Sequence, residues 1–174
     1  MENMENIMET PESPESTESP ESTENSIAAP VRQLNSSESV KKFLFAGKAQ
    51  FTLRSKKTGT RYTYRVTRSA KSKKEGQIPF YFVSLLTGAN NDNDYQYIGV
   101  IDANGFRWTK KAHHKKEAPS VVAFNWFMKS LLNGTVPEQV EFWHAGHCGR
   151  CGRTLTVPES IESGFGPECV KWVG

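Results

Sequence analysis

Over residues 49–54, and again over 61–67, apolar and polar side chains alternate one for one. Ala49, Phe51 and Leu53 fall on one side of the stretch "AQFTLR", and Gln50, Thr52 and Arg54 on the other. After "SKKTGT", the stretch "RYTYRVTR" sets Tyr62, Tyr64 and Val66 against Arg61, Thr63, Arg65 and Thr67. A period of two is that of a half-buried strand, and the Gly-containing turn makes the pair an antiparallel hairpin with one apolar face. The other face is then an Arg/Thr lattice, because register is pinned by the buried side. "PFYFVSLL", residues 79–86, does not alternate in this way and predicts a strand buried on both sides. "YQYIGVI" predicts a further strand, "DANG" a hairpin turn built on Asn104-Gly105, and "FRWT" its return. "QVEFWH" predicts one more short strand.

A period of 3.6 replaces the period of two only once. In "PSVVAFNWFMKSLLNG", Val121, Phe124, Met128 and Leu131 recur at helical spacing, and Trp126, Phe127 and Leu132 widen the stripe. Pro119 and Ser120 open the helix and Asn133-Gly134 closes it. Such a stripe packs across the apolar face of a sheet. The expectation is an α+β fold: a largely antiparallel sheet of about five strands with one packed helix.

Composition changes this picture at both ends. The opening "MENMENIMETPESPESTESPESTEN" repeats Pro-Glu-Ser and Glu-Ser-Thr units without aromatics. It cannot bury enough apolar surface to offset its ordering entropy, so residues 1–36 are expected to be a disordered acidic tail. The α+β domain then runs over residues 37–138 and a small C-terminal module over 139–174. Residues 1–40 hold nine Glu against Arg32 alone, a net of −8, while the remainder holds 21 Lys and Arg against 10 acids, a net of +11. A basic body suits polyanions, and an acidic tail in cis would compete with them. No apolar run approaches the roughly 20 residues needed to cross a bilayer. With no secretory h-region either, a cytoplasmic protein is expected.

All three cysteines lie in "WHAGHCGRCGRTLTVPESIESGFGPECVKW". An odd, clustered set of thiols argues against a disulfide framework. Cys148 and Cys151 form a Cys-x-x-Cys pair, and Cys169 follows eighteen positions beyond Cys151. Zn²⁺ takes four thiolate or imidazole ligands in a tetrahedron. The three cysteines therefore call for a fourth donor, either His144 or His147. His144 is favoured, because the Ala145-Gly146-His147 segment lets it loop back whereas His147 adjoins Cys148 directly. The expected set is His144, Cys148, Cys151 and Cys169 holding Zn²⁺. Such a closed site orders a segment too poor in apolar residues to fold alone, and it leaves no open position for catalysis. A deaminase would need His-x-Glu followed by Pro-Cys-x-x-Cys, and neither is present. "NDND", residues 91–94, lacks the Gly and downstream Glu of a calcium loop. His113 and His114 have no carboxylate at a helpful spacing. An enzyme is therefore not expected.

The elements Cys148, Cys151, Gly152, Arg153, then Leu155, Thr156, Pro158, Ser160, Ile161, then Gly164, Gly166, Pro167, Cys169 form a dense pattern. It resembles an uncharacterised bacteriophage and bacterial family with a Cys-x-x-Cys-Gly-Arg … Gly-x-Gly-Pro-x-Cys zinc module, a domain of unknown function. The upstream His144 and Gly146 resemble that family too. The resemblance implies a phage-type origin and a zinc module, and carries no established activity.

Two functions compete. One is nucleic-acid association through Arg54, Arg61 and Arg65 on the hairpin face, Lys56 and Lys57 at its tip, Lys73 and Lys74 in the basic loop, and Arg150 and Arg153 beside the knuckle. Tyr95, Tyr97 and Trp108 are candidate stacking residues. The other is a phage accessory factor that binds a host protein.

Overall fold

The computed structural model describes residues 32–73 and 78–173. Its strands are β1 (Gln33–Leu34), β2 (Lys48–Ser55), β3 (Arg61–Arg68), β4 (Tyr81–Leu86), β5 (Tyr95–Asp102), β6 (Gly105–Arg107) and β7 (Val140–His144). Its helices are α1 (Ser37–Leu44), α2 (Pro119–Leu132), α3 (Pro158–Ser163) and α4 (Pro167–Val170). The strands form one sheet in the order β1-β7-β2-β3-β4-β5-β6, and every neighbouring pair is antiparallel. The α+β class holds, with seven strands in place of about five.

The alternation in β2 and β3 survives as read. Phe51 pairs with Tyr64 and Leu53 with Tyr62, while Gln50 pairs with Arg65 and Arg54 with Arg61. Ala49, Phe51, Tyr64 and Val66 are fully buried. Phe51 stacks on Phe142 of β7 at 4.5 Å and on Phe124 of α2 at 6.5 Å. The buried Tyr64 hydroxyl donates 2.7 Å to the Ser120 carbonyl, tying the first turn of α2 to the middle of the sheet. Each fully buried ring contributes roughly 1.5–3 kcal/mol of hydrophobic stabilisation.

Four expectations need correction. β4 alternates after all: Tyr81, Val83 and Leu85 are buried, whereas Phe82 is 43% exposed on the opposite face. Only one side of this strand is covered by helices, so "PFYFVSLL" is a half-buried strand. The β5–β6 turn is closed by Asp102 pairing with Gly105, which puts Ala103-Asn104 at the tip instead of Asn104-Gly105. In α2, Phe127 is buried with Val121, Phe124, Met128 and Leu131, but Trp126 and Leu132 are exposed, so the apolar stripe is narrower than read.

The fourth correction concerns the tail. The expectation of disorder for residues 1–31 lies outside the described residues. Residues 33 and 34, however, form β1, paired through Leu34 with Phe142. Ser36 then caps α1, its hydroxyl accepting from the Ser39 amide at 3.1 Å. Glu38 in the first turn of α1 pairs with Lys42 at 3.1 Å, the favourable order along a helix. Val40, Phe43 and Leu44 make its buried face.

Helices α1 and α2 pack on the same side of the sheet, α1 through Phe43 against Phe142 and α2 through Phe124 against Phe51, Tyr64 and Phe106. The opposite side carries Lys48, Gln50, Thr52 and Arg54 on β2, Arg61, Thr63, Arg65 and Thr67 on β3, and Phe82 and Ser84 on β4. All of these are exposed or half-buried. Among the described residues, no helix is long and apolar enough to cross a membrane.

Candidate metal centre

The C-terminal segment is not an appendage to the sheet. β7 lies between β1 and β2, and Cys148, Leu155, Ile161 and Phe165 share one core cluster with Phe43 and Phe142. The chain leaves β7 at His144 and turns back on itself. Leu155 donates to the Gly146 carbonyl at 2.8 Å, Cys148 to that of Arg153 at 2.8 Å, and Gly152 to that of Cys148 at 2.9 Å. This knuckle docks on the sheet where the Lys48 amide donates 2.7 Å to the Gly149 carbonyl.

Two glycines make the docking close enough. A Cβ on Gly149 would lie 2.8 Å from Phe43 Cδ2, and one on Gly164 would lie 2.7 Å from the same atom. Phe43 is therefore edged between the Cys148 knuckle and the end of α3, and Gly149 donates 3.0 Å to the Gly164 carbonyl across it. Gly164 also has φ +77°, as the left-handed cap that ends α3. The short helix α4 then brings Cys169 back to the knuckle.

The result is one thiol cluster. The sulfur atoms of Cys148, Cys151 and Cys169 all lie within 4.8 Å of one another. Cys148 is buried, Cys169 half-buried and Cys151 exposed, and none is in a disulfide. A tetrahedral site with metal–sulfur bonds of about 2.3 Å has sulfur–sulfur edges of about 3.8 Å. Small side-chain rotations would bring the observed triangle to that size. Electrostatics point the same way. Burial pushes the Cys148 thiol up, but hydrogen bonds from the backbone amides of Cys151, Gly166 and Arg150 and from the Cys151 thiol outweigh it, bringing its pKa down to about 7. Burial raises the Cys169 thiol, and the neighbouring Cys151 and Cys148 raise it further against an opposing contribution from Arg150. One thiol is thus prepared as a thiolate, and a cation would stabilise all three. The cluster is a site that can hold a metal ion.

His144 does not join it. Its position in β7 puts it on the same face as Phe142, and it is buried with its ring 5.5 Å from Phe43. Nδ1 accepts from the Gly146 amide at 3.1 Å, and Nε2 faces the Ile161 carbonyl. A carbonyl can only accept, so Nε2 carries the proton and both ring nitrogens are committed. Burial lowers the pKa of His144, the Ile161 carbonyl opposes this, and the neighbouring Arg32 and His147 add to the lowering. The neutral ring is a core strut between β7 and α3. The expectation that it closes the tetrahedron is corrected: three of the four expected ligands are brought together and His144 is not. His147 also lies outside the triangle. It lines a groove of about 350 Å³ with Lys48, Gln50, Arg65, Thr67, Asp92, Cys151 and Gly152, where the knuckle meets the open face of the sheet.

The expected basic residues divide into groups. Arg54, Arg61 and Arg65 share the open face, and Lys56 and Lys57 follow β2 as exposed loop residues. Arg65 lies over the Tyr95 ring at 3.8 Å and donates 2.8 Å to the Asp92 carbonyl. Arg150 lies over the exposed Trp172 at 5.7 Å, and Arg153 lines a second groove over the thiols. Lys73 ends a 3-10 turn and Lys74 lies outside the described residues, so neither side chain is described. Lys48, which the sequence reading passed over, stands on the open face beside Gln50. Its position one residue before Ala49 in the alternating run was the available signal.

These features define an α+β protein with a C-terminal three-thiol site docked at one corner of an antiparallel sheet. Residues 142–174 match a family of unknown function (DUF6011), a match that covers the end of β7 and everything after it. No curated protein and no solved structure matches the chain.

Proposed function

We propose that this is a nucleic-acid-associating protein whose C-terminal knuckle is ordered by Zn²⁺. A soft, tetrahedral ion suits three thiolates, and its part is to hold Cys148, Cys151 and Cys169 together. The knuckle in turn carries Arg150, which lies over Trp172, and Arg153, which lines the groove over the thiols.

The observation that supports association with a polyanion is a conflict within the sheet. Arg54 and Arg61 are directly opposite each other on β2 and β3. Like charges in that position destabilise a strand pair. Glu141, the only acid on an adjacent strand at this register, reaches Arg54 at 3.5 Å and leaves Arg61 without a share. The same face continues through Arg65 to Lys48, so its positive charge runs from the hairpin tip to the groove beside the metal site. A row of phosphates would relieve that repulsion.

The test is fluorescence anisotropy with a labelled oligonucleotide over about 50 to 200 mM salt, the range in which counterion release is steep. Log affinity should fall linearly with log salt. The Lys48→Ala/Arg61→Ala pair should weaken binding and reduce the slope by about 0.7–0.9 for each contact removed. Absence of binding at the lowest salt, or a slope unmoved by the double substitution, would reject the reading.

A protein partner is the second reading, and a different surface favours it. Val122 and Trp126 sit one helical turn apart on the outward side of α2, and both are exposed. A nuclease-resistant complex with one protein that Trp126→Ser abolishes would favour it.

A further inference from the structure

The open face offers more than charge, and resting on the nucleic-acid reading above, we propose that its ligand is a single strand. Bases would lie on Phe82 and Tyr97, and phosphates along Lys48, Arg65 and Arg61. Three observations carry this.

The first is the placement of Phe82. It is the one residue of β4 that sends a large aromatic ring to the solvent side of the sheet, where it is 43% exposed. Thr67 is opposite it on β3 and Val100 on β5, Ser84 is next along the strand on the same face, and the Phe80 ring meets it edge-on at 5.3 Å. The part of the ring that stays in water forgoes hydrophobic stabilisation. A planar ligand would recover it.

The second is that Phe82 is part of an aromatic strip. Its ring centroid is 6.2 Å from that of Tyr97 on β5, whose strand position is opposite Ser84. Tyr95 follows two residues along the same strand, covered by the Arg65 guanidinium. The Tyr97 hydroxyl is held by the Thr109 hydroxyl at 3.0 Å, which fixes the ring. Aromatic rings accept any base because every base has a π-face, and a guanidinium plane adds a cation–π surface of the same kind.

The third is the geometry between strip and cations. The aromatic strip occupies β4 and β5, and the cations occupy β2 and β3, one to three strand spacings of about 4.8 Å away. Charge and stacking surface thus lie side by side on one face, as base and phosphate do in an extended nucleotide. A duplex could use only the cations, since its bases already stack on one another and present edges. Gln50 on β2 and Thr67 on β3, among the cations, have the donors and acceptors to meet a base edge.

The experiment compares a labelled 20-nucleotide oligo-dT with a 20-base-pair duplex, using the full chain loaded with Zn²⁺. The single strand should bind more tightly. Phe82→Ala should weaken its binding roughly 5- to 150-fold, the range for loss of one stacked base, and leave the salt slope unchanged. Phe82→Trp should keep the affinity and gain an indole whose emission is quenched on binding, a signal that a purely structural ring would not give. Equal or tighter binding of the duplex overturns the proposal. So does an unaffected Phe82→Ala alongside a weakened Lys48→Ala/Arg61→Ala, and in that case the nucleic-acid reading stands. If neither oligonucleotide binds, both readings fall.

Discussion

Replacing Gly164 by alanine tests how the three-thiol segment is held to the sheet. Two independent costs meet at this position. With φ +77°, an L side chain is strained by roughly 1–2 kcal/mol. The new methyl would also lie 2.7 Å from Phe43 Cδ2 and 3.0 Å from Cε2. Phe43 has little room to retreat, being fully buried against Phe142, His144 and Phe165 at centroid distances of 6.0, 5.5 and 5.9 Å. Overpacking of this kind costs about 1–3 kcal/mol, so the total should be about 2–5 kcal/mol. Two other glycines separate the contributions. Gly134 has φ +86° and nothing within 4 Å of an added Cβ, so Gly134→Ala should show the backbone cost alone. At Gly149, where φ is ordinary and the Cβ would meet Phe43 Cδ2 at 2.8 Å, alanine should show the steric cost alone. Urea unfolding of the three variants at constant m-value gives the comparison. Phe43→Leu should recover part of the loss in the Gly164→Ala background and not in the Gly134→Ala background, because only the first pair is in contact. If Gly164→Ala loses no more than Gly134→Ala, Phe43 is not clamped by the knuckle and the docking argument fails.

Further outcomes follow from the same geometry. Cys169→Ser should abolish stoichiometric Zn²⁺ in elemental analysis and make residues 145–173 sensitive to limited proteolysis, while the sheet's circular dichroism persists; retained metal would remove Cys169 from the site. His144→Asn should keep its metal, because neither ring nitrogen of His144 faces the thiols, and cobalt-substituted protein should show an unchanged sulfur-to-metal charge-transfer band; loss of that band would restore His144 as a ligand. The depressed His144 pKa has a definite sign: its stabilisation is full above the ordinary value of 6.5 and is lost as pH falls below that through the folded value. In the Cys169→Ser background, which removes the metal's own acid sensitivity, unfolding free energy should therefore fall as pH drops below about 6.5, and His144→Asn should flatten that fall.

Much of this architecture was legible from periodicity. β3 was read with its bounds intact, and the faces of β2 and β3 were assigned residue by residue, because a one-residue slip would expose every apolar side chain. The grouping of the three cysteines was equally legible, since a Cys-x-x-Cys knuckle and a third thiol can close on one point. Two misreadings came from local arguments applied to residues governed by the sheet. His144 was judged by how far a loop could reach, yet it continues the Val140, Phe142 alternation of β7 and so points into the core. β1 and α1 fell within or beside a segment judged by composition. The Ser36 cap with Glu38 was a readable helix start, but a two-residue strand carries no periodicity of its own.

The sequence by itself determined which side chains share a face and which can bind a soft cation, because both follow from spacing along one strand or one knuckle. Only the tertiary structure decided that β7 slots between β1 and β2, that two glycines close on Phe43, and that Phe82 shares an open face with the cations of β2 and β3. Those facts depend on contacts between residues remote in the chain, such as Phe43 with Gly164 and Arg54 with Glu141. Their energies are set by packing and by pairing across strands, for which a linear pattern holds no record.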